Sequence, residues 1–398
     1  MIKHLFKLVW NRKRSNLLLM LEIFFSFIVL VAVMTLAAYY QDNYGRPLGF
    51  VYENVWNIGI DMNTATDDVW SAEMVSTTRQ LFLALQDFPE IESACGALST
   101  PYGLGSRQSV NEFKGRRVEM EVNEVTDTFL QTLNLQLLAG RWFDQTDDAS
   151  NWKPVVINQR LSRELFGHDD PIGRPFEPWS SQEEEVRVIG VISDFRRDGE
   201  FVGPGNYLFE RKRLDDPRNR PPANLLIKVR PGASAAFEER LAARLEAVAR
   251  EWSFEIQPLT HKREVAMKLR LVPVILLGLI AAFLMIMVGL GLVGILWQNV
   301  TQRTKEIGLR RAKGATAAAI HKQILGETLV LTSLGVVLGV ILVVQFPLLD
   351  LISTVSVKVY AQGVLLALLV LYGLTLAASL YPSWLATKVR PAQALHYE

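Results

Sequence analysis

The sequence predicts a membrane protein in which an α-helical four-span transmembrane domain carries an extracytoplasmic α+β domain. Three observations predict it. First, apolar residues are 49% and charged residues 21% of the 398 residues, and they are segregated: apolar runs lie at the start and in the last third, charges mostly between. Second, four apolar runs are long enough to cross a bilayer core about 30 Å thick, which takes about 20 helical residues. Third, the short connections alternate between basic and not basic.

Residues 1–16 form a cytoplasmic segment with Lys3, Lys7, Arg12, Lys13 and Arg14. The first span covers 17–40. Its apolar core exceeds the roughly 7–15 residues of a secretory leader, and no clean A-x-A site follows, so it reads as a retained anchor. Residues 41–271 return to globular composition and form the extracytoplasmic domain. Two stretches in it share a strand–helix–strand pattern. One runs from Val55–Ile60 through Val69–Phe88 to Ile91–Leu98. The other runs from Asn224–Val229 through Ala233–Glu251 to Phe254–Pro258. Phe237, Leu241, Leu245 and Val248 follow the helical period. Between them, 102–222 is rich in short β-branched runs at Val118–Val122, Val155–Ile157 and Val186–Ile192. The expected architecture is one strand-helix-strand subdomain in two halves, with a mostly-β subdomain inserted.

The second span covers 272–300, with Pro273 at a tolerated first-turn position. Residues 301–323 are a basic cytoplasmic elbow, where Arg303, Lys305, Arg310, Arg311, Lys313 and Lys322 outweigh Glu306. The third span is 324–346, the short external loop 347–362, the fourth span 363–386 and the cytoplasmic tail 387–398. Both termini inside, with the domain outside the cytoplasm, satisfies the distribution of Lys and Arg.

Other classes are disfavoured. The net charge of +1 leaves no basic face for nucleic acid. Cys95 stands alone, so no internal disulfide forms. His4, His168, His261, His321 and His396 are scattered, with no metal-ligand spacing and no nucleophile motif. Glu183–Glu185 and Asp215–Asp216 read as solvated loops. No catalytic, cofactor-binding or metal site is expected. The 398 residues contain no G-x-x-x-x-G-K-[ST], so ATP is not bound in the P-loop manner.

The strongest local signal is Arg303-Thr-Lys-Glu-Ile-Gly-Leu-Arg-Arg-Ala-Lys-Gly-Ala315. The second span should continue into it as a charged helix. Gly314 suits the end of that helix, and Thr316 suits the N-cap of the next. Ala317, Ile320 and Ile324 then share one face. From charge alone this is a topogenic loop against lipid head groups. Small residues at Gly289, Gly291 and Gly294, at Gly335 and Gly339, and at Gly373 and Ala377 allow close helix packing, within or between protomers. Glu22 is an acid inside the first span, a functional candidate or a group reaching the interface to pair with Arg14.

The 303–315 segment resembles the R-x-R/K-E-I-G-I-R-R-A-L-G-A segment of the MacB/FtsX-like ABC transporter permease family. Arg303, Lys305, Glu306, Ile307, Gly308, Arg310, Arg311, Ala312, Gly314 and Ala315 match; Leu309 and Lys313 differ. Tyr381-Pro-Ser-Trp-Leu-Ala386 and Arg390–Glu398 resemble the family's ending. Gly140-Arg141-Trp-Phe143, Val155–Asn158, Leu165–Gly167, Asp170–Gly173 and Val188–Val191 with Asp194-Phe195 resemble its outer-domain turns.

The resemblance implies a permease subunit in a bacterial inner membrane. ATP and Mg would sit on a separate ABC ATPase, which contacts the elbow, including Ile320. A second permease protomer completes a dimer, and a periplasmic adaptor with an outer-membrane channel could follow. Work outside the membrane by mechanotransmission is the implied function, most plausibly efflux of a drug, peptide or other small molecule. The alternatives are lipoprotein extraction, or activation of a cell-wall hydrolase or signalling kinase without transport.

Overall fold

The computed structural model describes residues 13–63, 70–113, 115–177, 185–216, 219–349 and 355–387. It divides into a helical unit, residues 1–42 with 270–398, and a sheet domain, Asn43–Leu269. The basic N-terminal residues Lys3 to Arg12, Glu183 and Glu184, and the tail from Lys388 lie outside the described residues.

Four helices are long and apolar enough to cross a membrane. They are α1 (Lys13–Tyr44), α6 (Leu259–Gln302), α8 (Ala317–Val343) and α10 (Val357–Thr387). A short α9 (Gln345–Leu348) follows α8. The α6 helix begins well before the apolar run, because Leu259 is already fully buried in the sheet-domain core. Pro273 is therefore an interior residue of α6, not a first-turn one. It removes one helical hydrogen bond there. α1 and α8 supply much of the helical unit's core: Leu19, Ile23, Phe27 and Leu30 from α1, Leu331, Val336 and Val343 from α8.

The sheet domain holds β1 (Val55–Asp61), β2 (Ile91–Ala97), β3 (Arg107–Phe113), β4 (Arg116–Val125), β5 (Leu137–Gly140), β6 (Lys153–Asn158), β7 (Val186–Ile192), β8 (Tyr207–Arg211), β9 (Asn224–Val229) and β10 (Ser253–Pro258). Helices α2 (Ala72–Gln86), α3 (Phe129–Thr132), α4 (Gln159–Phe166) and α5 (Ala235–Val248) intervene. The strand order is β10-β1-β9-β2-β4-β8-β6-β7-β5, with β3 paired to β4. Strands β3 to β8 fall between β2 and β9 in sequence, so the chain leaves after β2 and returns as β9 beside it.

The strand-helix-strand halves and the segment between them share one ten-stranded sheet. They join at a single register pair, Ala97 with Val125. Pairing β2 to β4 covers an edge that would otherwise expose unsatisfied backbone groups. Ile58, Leu81, Leu85, Phe237 and Leu241 fill the strand-helix-strand half and Val118, Val122, Ile157, Leu161 and Val188 the insert, while Cys95, Ala97 and Leu226 of the half pack with Val125, Phe129 and Phe209 of the insert in a shared core. Both α2 and α5 present their buried residues at helical spacing: Val75, Thr78, Leu81 and Leu85; Phe237, Leu241 and Leu245. Ser71 caps α2 by accepting from the Met74 amide at 3.2 Å.

Candidate functional site

The elbow is a local fold with its own core. The α6 helix stops at Gln302 and restarts after Arg303 as α7 (Thr304–Ala312), so the charged segment is a separate short helix rather than a continuation of the span. Thr301 and Thr304 hydroxyls donate to the carbonyls of Trp297 and Val300 at 3.0 and 3.1 Å, a pattern that bends helices. The α7 helix ends in a Schellman turn. Ala315 N–H donates to the Arg310 carbonyl and Gly314 N–H to the Arg311 carbonyl, both at 3.0 Å. Gly314 has φ +93°, a conformation that glycine adopts without Cβ strain. Thr316 then caps α8, its hydroxyl accepting from the Ala319 amide at 3.2 Å.

Val300, Ile307, Ile320 and Ala386 are buried together beneath the elbow, with Ile324 against them. Ile307 and Ile320 are thus inward-facing anchors, and Gly308 is buried beside Ile307. Arg303 donates to both oxygens of Glu327, at 2.8 and 3.0 Å, and Gln323 donates to the same carboxylate at 2.9 Å. Arg310 bonds Glu306 at 2.6 Å and also Gln323. Arg311 bonds the Thr387 carbonyl at the end of α10. Arg303 and Arg310 therefore tie the elbow to α8, and Arg311 ties it to α10. Exposed on α7 are Lys305, Glu306, Leu309 and Ala312, with Lys313, Gly314, Ala317 and Lys322 beyond it. Lys305, Leu309 and Lys313 recur every four residues and share a face. Leu309 is 48% exposed, an apolar side chain between two cations. Ala315 is half-buried. Glu327 escaped sequence reading because it lies 24 residues from Arg303, inside a run read as membrane span.

The glycines divide by contact. A Cβ on Gly335 would lie 2.8 Å from Ile23 Cγ2, and one on Gly339 2.5 Å from Phe27 Cδ1. Both seat α8 on α1. A Cβ on Gly289 would meet Leu374 at 3.6 Å, while Gly294 and Gly373 meet nothing within 4 Å. The closest approach is at Gly363, absent from the sequence expectation, which lies against the Thr35 backbone. A further seam links α8 and α10: the Thr332 and Thr375 hydroxyls are 3.2 Å apart, and those of Ser333 and Tyr372 2.8 Å. Glu22 is partly buried and faces Gly291, where a Cβ would stand 3.1 Å from Glu22 Oε2. Glu22 Oε1 and the Ser26 hydroxyl one turn on are buried without a hydrogen-bond partner among the described residues.

In the sheet domain, the loop from Asp194 to Val202 acts as a bracket. Arg196 is buried and donates to the carbonyls of Arg46, Glu200 and Val202 at 2.6–3.0 Å. Arg197 pairs with Glu121 at 2.6 Å and donates to the Gly103 and Gly105 carbonyls. Glu200 pairs with Arg263, near the start of α6, at 2.5 Å, and Arg263 covers the Tyr52 ring at 5.0 Å. Burial pushes the Glu121 carboxyl up to about 7 against the pull of Arg197. Among the described residues no cluster of His, Cys, Asp and Glu could hold a metal ion.

Fold and site together define a multi-span membrane protein built around a large domain inserted between its first two spans. The chain belongs to the MacB/FtsX-type ABC transporter permease family. Residues 17–244 match the MacB-like periplasmic core domain, and residues 278–391 match the FtsX-like permease C-terminal domain. It is 26% identical over 295 residues to the uncharacterized ABC transporter permease YknZ of Bacillus subtilis, covering 70% of each chain. It is 28% identical over 335 residues to the macrolide export ATP-binding/permease protein MacB of Bdellovibrio bacteriovorus, covering 79% of this chain but only 50% of that longer one. The periplasmic region of MacB from Actinobacillus actinomycetemcomitans aligns with a TM-score of 0.38 at 15% identity, over 54% of this chain and 93% of that one.

Proposed function

We propose that this chain is the permease subunit of an ABC transporter, docking a separate ATPase through the outward face of its elbow. ATP and Mg bind on that ATPase. Both termini and the elbow lie in the cytoplasm of a bacterial inner membrane, and the sheet domain lies in the periplasm. Two protomers act together, and closure of the ATPases beneath them pushes on the elbows. The rigidity of the elbow supports this reading: it is braced by Arg303, Arg310 and Arg311 and held on its own apolar core. A push on such an element moves α6 rather than deforming a loop. The α6 helix continues without interruption to Leu259. The proposed output is movement of the sheet domain, with export of a small molecule or peptide from the periplasm through an adaptor and outer-membrane channel.

The observation that carries the docking surface is the Lys305–Leu309–Lys313 face, exposed while Arg303 is engaged on Glu327 and Arg311 on the Thr387 carbonyl. Two cations flanking an exposed leucine suit an acidic-rimmed apolar recess on the ATPase. The test is co-purification with the genetically linked ATPase in mild detergent. Wild type should retain it, and Lys305→Glu with Lys313→Glu and Leu309→Ser should lose it while remaining monodisperse. Full retention by that triple variant refutes this docking face. Reversing Arg310 and Arg311 is a poorer test, since it removes the elbow's internal bonds.

A further inference from the structure

We propose that a cavity in the sheet domain, lined by Arg107, Glu124, Lys153, Glu210 and Lys212, binds a small ligand through an oxyanion group. The cavity measures about 200 Å³. A water occupies about 30 Å³ in the liquid, so there is room for several waters or one small anion.

Its charges arise from the sheet register. Strands β4 and β8 run parallel and place Glu124 directly beside Glu210. Adjacent like charges on one sheet face repel. Three cations surround the two carboxylates. Lys212 Nζ lies 2.5 Å from Glu124, and Arg107 2.9 Å from the same carboxylate and 3.9 Å from Glu210. Lys153 Nζ lies 2.9 Å from Glu210. Among the described residues these pairs join three cations to two carboxylates, and Arg211, held by Asp127 and Asp148, also lines the cavity.

A purely structural network would need neither the surplus cation nor the cavity. The Lys212 side chain is only 3% exposed, and Glu124 is its one side-chain acceptor among the described residues. An ammonium has three N–H donors, so two remain for the cavity. Buried donors without acceptors are costly. Water could fill them, but the surplus charge favours an anion. A carboxylate or a phosphate offers the same paired oxygens.

The test is thermal unfolding of the full chain in detergent, titrated with sodium phosphate or sodium acetate against chloride at matched ionic strength and pH. Phosphate also stabilises proteins generally by exclusion, but that effect does not saturate. A bound anion at ten times its Kd should raise the midpoint by about 4 °C and then level off. A saturable rise with one anion only identifies which oxyanion the site takes; a rise with both identifies a general oxyanion site. Lys212→Met should abolish the rise. If that variant does not fold, Lys153→Met, at the more exposed end of the network, should reduce it. Absence of saturation with both anions, or an undiminished rise in the variants, overturns the proposal.

Discussion

Replacing Gly363 by alanine should break the contact between the first and fourth spans, while the same replacement at Gly373 should not. At Gly363 the added Cβ would sit 2.2 Å from Thr35 Oγ1, 2.6 Å from Thr35 Cα and 2.7 Å from Thr35 N. Carbon atoms in contact settle near 3.5–4.0 Å, so the two backbones must part by about 1 Å. The obstructing atoms belong to the α1 backbone and cannot rotate away. Val31 and Val33 of α1 and Tyr360 and Ala367 of α10 share the core that this separation opens. Overpacking of this kind costs about 1–3 kcal/mol, and a backbone obstruction places Gly363→Ala at the top of that range. At Gly373 no atom of the described residues outside the helix's own backbone lies within 4 Å of the added Cβ, and the intrinsic gain of alanine over glycine in a helix is up to about 1 kcal/mol. The two substitutions should therefore differ by about 3 kcal/mol, ten residues apart on one helix. Unfolding in mixed micelles with increasing dodecyl sulfate, followed by tryptophan fluorescence, measures both. Equal midpoints for the two variants would refute the packing argument. If Gly373→Ala alone shows a midpoint that depends on protein concentration, a second protomer covers that face.

Two further predictions rest on charge. Glu327→Gln removes the carboxylate that holds Arg303 and should loosen α7 by about 1–3 kcal/mol, read as faster amide exchange across Thr304–Ala312; unchanged exchange there would show that the pair does not hold the elbow. Glu121, whose carboxyl is raised from 4.5 to about 7, binds its proton more tightly folded than unfolded. Its contribution to stability is thus full below about pH 4.5 and is lost as pH rises through about 7, by up to about 3 kcal/mol. Glu121→Gln should flatten that part of the stability profile between pH 5 and 8, and a parallel profile would place the titration elsewhere.

The spans were legible because a bilayer imposes length and apolarity on contiguous residues, which a sequence displays directly. The strand-helix-strand halves were legible for a similar reason, since Phe237, Leu241 and Leu245 mark one face by local period alone. Direction was harder to read. The sequence marked the elbow as cationic, but Arg303, Arg310 and Arg311 are engaged by acceptors, Glu327, Gln323 and the Thr387 carbonyl, that arrive from α8 and α10. The pairing of Glu124 with Glu210 depends on the register between two strands far apart in the chain, which no local pattern encodes.

The fourth span shows where a signal existed and a different one was followed. Gly373 and Ala377 are small and four apart, yet Gly373 faces open space. Gly363, Ala367, Leu371, Thr375, Ser379 and Ser383 also recur every four residues, and all are buried. Most of that longer row is small or hydroxylated, in a helix otherwise rich in leucine. An α-helix tolerates a small or polar row in a membrane most readily where another helix covers it, because lipid offers its hydroxyls no partner. The hydroxyls of this row act accordingly: Thr375 reaches Thr332 of α8, and Ser379 and Ser383 bond carbonyls one turn back. The length of a small-and-polar row, rather than the presence of one glycine pair, therefore identifies the packed face of such a span, and it does so from sequence alone.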